Sequence, residues 1–269
     1  MSDLSEILEE FLSDLKRIED LLGLVKGFRE FGSGSVPPQI MDGSVIWAEA
    51  LALKAVAPTL RTDLPLMSGS MVLYLCGRFE YFVRQSVEAL SDEIASRATT
   101  YDDLPARLRN ELRRGTLEVA LNHNRYGFTV MEADALVTDL ALNIDGTHGG
   151  GPIRISSQVL SITESNMNAQ TLADLMRRVG MADLWKDIGK QAKLKLHLLK
   201  HVDNECTSEA MRLLNELMKD RNQIAHPTGG TTFPDPDQVL RTATFLGALG
   251  TVLVELCQVH LASFTPSRS

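Results

Sequence analysis

Apolar residues return at the helical interval in nearly every apolar stretch of this chain, and that periodicity confines it to packed helices. Leu4, Ile7, Leu8, Phe11, Leu12, Leu15, Ile18, Leu21, Leu22, Val25 and Phe28 keep one register from Asp3 to about Phe31. Val72, Leu73, Leu75, Cys76, Phe79, Phe82, Val83, Val87, Leu90 and Ile94 do so from Ser70 to about Ala98, as do Val239, Leu240, Phe245, Leu246, Leu249, Val252, Leu253, Leu256, Val259 and Leu261 near the end. Each stripe is an apolar face that needs a neighbour. Further helices are expected at 104–121, 130–142, 168–179 and 183–201, and a short one from a Ser44 cap to about Val56. Pro58 to Pro65 is expected to break the chain, Ile153–Ile162 to be extended or loop, and Gly247 and Gly250 to let a neighbouring helix come close. The fold class expected is all-α.

A second feature narrows the function. Ser208 to Pro227 carries Leu213, Leu214, Leu217, Met218, Ile224 and Ala225 at helical spacing and ends at a proline. The residue before a proline is pushed out of the α region, so His226 should stand at the helix end, where it can be reached. Asn222 lies four residues earlier on the same face, with Arg221 on its flank. Arg221 brings a fixed positive fork suited to phosphate, and His226 can carry a proton near neutrality.

Arg221-Asn222-Gln223-Ile224-Ala225-His226 resembles the Arg-polar-x-x-x-His signature of HEPN-superfamily ribonucleases. In that superfamily the motif lies on a late helix of an all-α bundle with one long helix after it, the order expected here. Gly77-Arg78-Phe79-Glu80-Tyr81-Phe82 resembles the first core helix of the RiboL-PSP-HEPN branch. The resemblance covers roughly Ser68 to Phe264. It implies a HEPN-like helical domain over residues 67–269; the long amphipathic helix at 1–31, read from its periodicity, and the linker with a short helix at 32–66, read from its glycine, serine and proline, lie outside it. It further implies a metal-independent endoribonuclease acting through Arg221 and His226, with Asn222 orienting His226 or a phosphate oxygen. Two protomers would pair to complete the cleft, and the role would be that of a toxin or antiviral effector with an antitoxin or defence-system partner. HEPN toxins regulated by tyrosine modification carry that Tyr two residues after the His. Here the position is Thr228, which puts that control in doubt.

Other residues have weaker claims. Glu80 and Asp220 are candidates to support Arg221 and His226 from behind. Arg107, Arg114, Lys190 and Lys193 are candidate RNA contacts, because arginine and lysine position phosphate. A net charge of −8 argues against broad, sequence-blind nucleic-acid binding, so any RNA contact must be local. His197 and His201 stand one turn apart, but no Glu follows His197 and no third ligand announces itself, so neither metal nor cofactor is expected. Asp145-Gly-Thr-His-Gly-Gly-Gly-Pro152 lacks the nucleophile turn and strands of a hydrolase and reads as a loop.

Cys76, Cys206 and Cys257 are odd in number and far apart, which favours buried thiols over a disulfide framework. The acidic start, Met1-Ser-Asp-Leu-Ser-Glu6, differs from a basic signal sequence, and no window approaches a membrane span, so a cytoplasmic protein without membrane contact is expected. The competing reading is a non-catalytic HEPN-like interaction module that holds a protein partner or nucleotide, with Arg221 and His226 only closing the helix end.

Overall fold

The computed structural model describes residues 3–35, 48–60, 63–147 and 153–264. It is an all-α bundle with no strand among the described residues. The helices are α1 (Leu4–Ser33), α2 (Ala48–Leu60), α3 (Leu64–Ser96), α4 (Ala106–Leu121), α5 (Val130–Asp145), α6 (Gln158–Ser161), α7 (Ala169–Arg178), α8 (Leu184–Gly189), α9 (Ala192–Leu198), α10 (Asp203–Ala225) and α11 (Pro236–Ser263). The expected linker after α1, the Ser44 cap and most of the glycine run before Pro152 lie outside the described residues.

The centre is α3. Leu75, Phe79, Val83, Val87, Leu90 and Ile94 are fully buried, and α1, α10 and α11 all pack on this helix. It begins at Leu64, earlier than the expected Ser70, because Pro65 sits in the first turn, where a missing backbone donor costs nothing. Pro58 likewise lies inside α2 and does not break it. The 153–162 stretch holds the one-turn α6, whose Ser161 hydroxyl donates to the Glu88 carboxylate of α3.

Helix α1 shares the core of the bundle. Phe11 stacks on Phe82 of α3, with ring centroids 4.5 Å apart and planes 15° from parallel. Gly250 of α11 faces the same pair, and a Cβ there would meet Phe11 at 3.0 Å and Phe82 at 3.3 Å, so the close approach does require glycine. Gly247 meets Leu15 in the same way, at 3.2 Å. The second fastening is ionic. Asp14 is buried on α1, and its carboxylate is paired with the Arg78 guanidinium and accepts from Tyr74 Oη at 3.3 Å. Arg78 also reaches Glu10 at 2.6 Å and lies over the Tyr81 ring. Arg78 thus serves the α1–α3 contact.

Two sequence expectations need correction. The helix expected from Asp183 to His201 is two short helices, α8 and α9, parted at Lys190–Gln191 and closed by Leu199 at a left-handed φ of 53°. At this join Gly189 packs against the start of α10, where a Cβ would meet the Asp203 carbonyl at 2.6 Å and collide with Thr207. Contrary to the expectation that no stretch approaches a membrane span, α11 is long and apolar enough to cross one, with a mean hydropathy of 1.6. Half of that apolar window is buried in the bundle, against α1, α3, α8 and α9.

Replacing Arg78 with methionine leaves the buried Asp14 carboxylate only the exposed Arg17 guanidinium, at 3.1 Å, and Tyr74 Oη. Chemical denaturation should show a loss of about 3 kcal/mol, of which an Asp14→Leu/Arg78→Met double variant recovers a large part. Equal stability of Arg78→Met and wild type would show that the pair does not hold α1.

Candidate functional site

The C-terminal end of α10 is built as the sequence suggests. The helix runs to Ala225, and His226 leaves it at φ −126°, ψ 68°, its amide still donating to the Asn222 carbonyl at 3.1 Å. Pro227 forces this exit, since its ring excludes α geometry at the preceding residue. A tight turn follows, in which the Thr228 amide donates to Thr231 Oγ1 at 2.8 Å, and the chain returns so that Phe233 packs on α3. Gly69 of α3 makes room for it: a Cβ there would meet Phe233 at 2.5 Å and Ile224 at 3.4 Å. Ile224 is thereby held in the core while Asn222, Gln223 and His226 face water.

Arg221 is half-buried on the flank of this end. Its Nη1 donates to Asn222 Oδ1 at 3.2 Å. Among the described residues no carboxylate comes within ion-pair distance of its guanidinium, as is also true of Arg107, Arg113, Arg154, Arg178 and Arg241, whereas the other described arginines are paired. A neutral acceptor holds the fork in place and leaves its charge uncompensated. Asn222 Oδ1 takes a second donor, Nδ2 of Asn166, at 2.7 Å. That residue belongs to the α6–α7 loop and carries no motif, so the sequence offered no signal for it.

The supporting candidates divide. Cys76 lies beneath the site on α3 and senses Arg221, Asp220 and Glu80 together, which places all three around one buried thiol. Burial pushes that thiol up to about 12, and the positive charge of Arg221 offsets this only in part. Asp220 is also raised, by burial first and then by Glu216, with Lys219 acting against them. Glu80 is near, but its ion-pair partner is Arg84 at 3.8 Å, one turn along its own helix. Neither Glu80 nor Asp220 has a hydrogen bond to the His226 ring or to Arg221.

The basic candidates are not gathered at His226. Lys190 pairs with Asp187 at 2.8 Å and Lys193 with Glu255 at 2.8 Å. Both lie by the start of α10, where Gly189 touches Asp203 and Thr207. At 1.5 Å per residue the length of α10 puts them roughly 30 Å from His226. Arg107 is exposed on α4. Arg114 is paired with Glu111 at 3.2 Å, on the rim of a cavity of about 290 Å³ that Tyr126, Glu164, Ser165 and Arg178 also line. Ser165 is the neighbour of Asn166, so Arg114 is the basic candidate whose cavity adjoins the loop fastened to Asn222. His197 rests against Phe245, and burial lowers its pKa. Among the described residues no cluster of three metal-binding side chains occurs.

Residues 51–258 match the family model described as RiboL-PSP-HEPN. The match begins inside α2 and ends inside α11, so it takes in α3, the motif end of α10 and the loop between them. No curated protein and no solved structure matches the chain.

Burial of the thiols gives a check on this arrangement. All three cysteines are buried, and burial raises Cys76 and Cys257 each to about 12, so the thiolate is scarce at pH 8. A disulfide-exchange reagent at pH 8 should titrate none of the three in native protein and all of them in denaturant. Rapid native reaction at Cys76 would mean that α3 and the end of α10 do not close over it.

Proposed function

The chain belongs to the RiboL-PSP-HEPN family, and from that footing we propose that it is a metal-independent endoribonuclease working through Arg221 and His226. The observation that carries the reading is the pairing of an uncompensated guanidinium with an accessible imidazole at one helix end. RNA supplies its own nucleophile, the ribose 2′-hydroxyl, so the protein need only bind phosphate, remove one proton and deliver another. In the proposed step a base takes the 2′-OH proton and the oxygen attacks the adjacent phosphorus. The P–O5′ bond breaks and an acid protonates the departing 5′-oxygen. The products are a 2′,3′-cyclic phosphate and a 5′-hydroxyl. Arg221 stabilises the charge that gathers on the equatorial oxygens.

One chain contributes one such histidine, and the step uses both a base and an acid. A two-fold dimer joining two copies of the α10 end would supply both from the same residue, since an isologous contact brings one patch of each subunit to the axis. The exposure of Asn222, Gln223 and His226 leaves room for such a partner copy. The role proposed is that of a toxin or antiviral effector held in check by an antitoxin or defence-system partner, and its support is the resemblance to HEPN ribonucleases.

Purified protein incubated with structured RNA in EDTA should cleave it to products with cyclic-phosphate ends. Arg221→Ala and His226→Ala should each lose at least about a hundredfold in rate, the scale of a lost acid–base group or oxyanion donor. DNA of the same sequence should be inert. Equal cleavage by wild type and both variants would refute the assignment, and absence of cleavage by wild-type protein would favour the non-catalytic interaction module.

A further inference from the structure

Asn222 has one side-chain oxygen and two donors on it, Arg221 Nη1 at 3.2 Å and Asn166 Nδ2 at 2.7 Å. An amide with its oxygen so occupied has only one orientation left. Its NH2 group must face away from the loop and from Arg221, toward open solvent at the helix end, because a flipped amide would set donor against donor. Without Asn166 the remaining partner is the single, longer bond from Arg221, and the amide is free to turn.

The loop is held for this purpose at two points. Asn215 Oδ1, two turns before Asn222 on the same face of α10, accepts from the Ala169 amide at 3.0 Å. Met167 is buried between these fastenings, and Asn168 caps α7 by accepting from the Thr171 amide at 2.9 Å. On the other side of Asn166 the Ile162 carbonyl accepts from Arg178 Nη1 at 2.8 Å, so Asn166 is presented from a backbone fastened before and after it.

We propose that Asn166 is a positioning residue of the Arg221/His226 site: it locks the Asn222 amide so that NH2 faces the scissile phosphate and the oxygen holds the guanidinium. The proposal rests on the ribonuclease reading above and adds to it a residue outside the motif. Acting through Asn222, Asn166 touches no substrate atom itself. Its effect is on the fraction of enzyme whose two phosphate donors are correctly aimed, which lowers kcat more than it alters binding.

The test is a double-mutant cycle on RNA cleavage. Asn166→Ala should lower kcat about tenfold or more, with KM within about twofold and an unchanged melting temperature. Asn166→Asp, which keeps the shape but sets a carboxylate oxygen against Asn222 Oδ1, should be no better. The Asn166→Ala/Asn222→Ala double variant should be no slower than Asn222→Ala alone, because the second change removes what the first acts upon. Multiplied losses in the double variant, wild-type kcat in Asn166→Asp, or a loss confined to KM would each overturn the proposal. The contact is also read without any activity, in the side-chain amide resonances of Asn166. Asn222→Ala should shift them and His226→Ala should not, and failure of that shift overturns the proposal however RNA behaves. If the shift is seen but wild-type protein cleaves no RNA, the ribonuclease reading falls, and the positioning role falls with it.

Discussion

Six side chains of α3, from Leu75 to Ile94, are withdrawn from water altogether, and the other long helices are placed so as to cover them. Each such residue contributes on the order of 2 kcal/mol by leaving water, so a helix buried along most of its length dominates the packing. The stack of Phe11 on Phe82 brings α1 in on one side, and α10 lies along another. Gly69 and Gly250 mark where neighbours come closest, the first to Phe233 and Ile224, the second to Phe11 and Phe82. The end of α10 inherits its position from this hub: Ile224 is fixed in the core, and the polar residues around it have only the outward direction left.

Two arginines show how differently one residue type is used. Arg78 is tied to Asp14 and Glu10, so its charge is consumed in joining α1 to α3. Arg221 rests on a neutral amide oxygen, with no carboxylate at ion-pair distance among the described residues. Arg107, Arg113, Arg154, Arg178 and Arg241 also have no ion pair among the described residues, so what sets Arg221 apart is its place beside His226 at the helix end, and the proposed phosphate contact uses the planar fork it presents there. The asparagine after Arg221 then has a double task, restraining the guanidinium with its oxygen and offering its NH2 outward.

The proposed site lies at a helix end, apart from the cavities of the bundle. The cavity by Arg114 and Tyr126 is polar, and Tyr126 Oη donates there to Glu118 at 2.7 Å or Glu164 at 2.9 Å. That network fixes the wall from which the α6–α7 loop departs toward Asn222. The loop therefore runs from this polar cluster to the motif helix, where Asn166 bonds to Asn222.

Periodicity alone was enough for the long helices and for the all-α class, because a helix that must bury one face writes that face into its sequence every three or four residues. The exit of His226 was legible for a similarly local reason, the steric demand of Pro227. Local rules failed where the deciding contact came from elsewhere in the chain. The packing of Gly189 on Asp203 and Thr207 at the join of α8 and α9, and the pairing of Arg78 with a buried aspartate on α1, leave no local signature in the sequence. Lys190 and Lys193 looked like neighbours of the motif but stand at the far end of α10, since sequence proximity says nothing about which end of a helix a preceding segment meets. Asn166 was invisible for the plainest reason: a single hydrogen bond across 56 positions has no period, spacing or composition to betray it, and exists only once the bundle has closed.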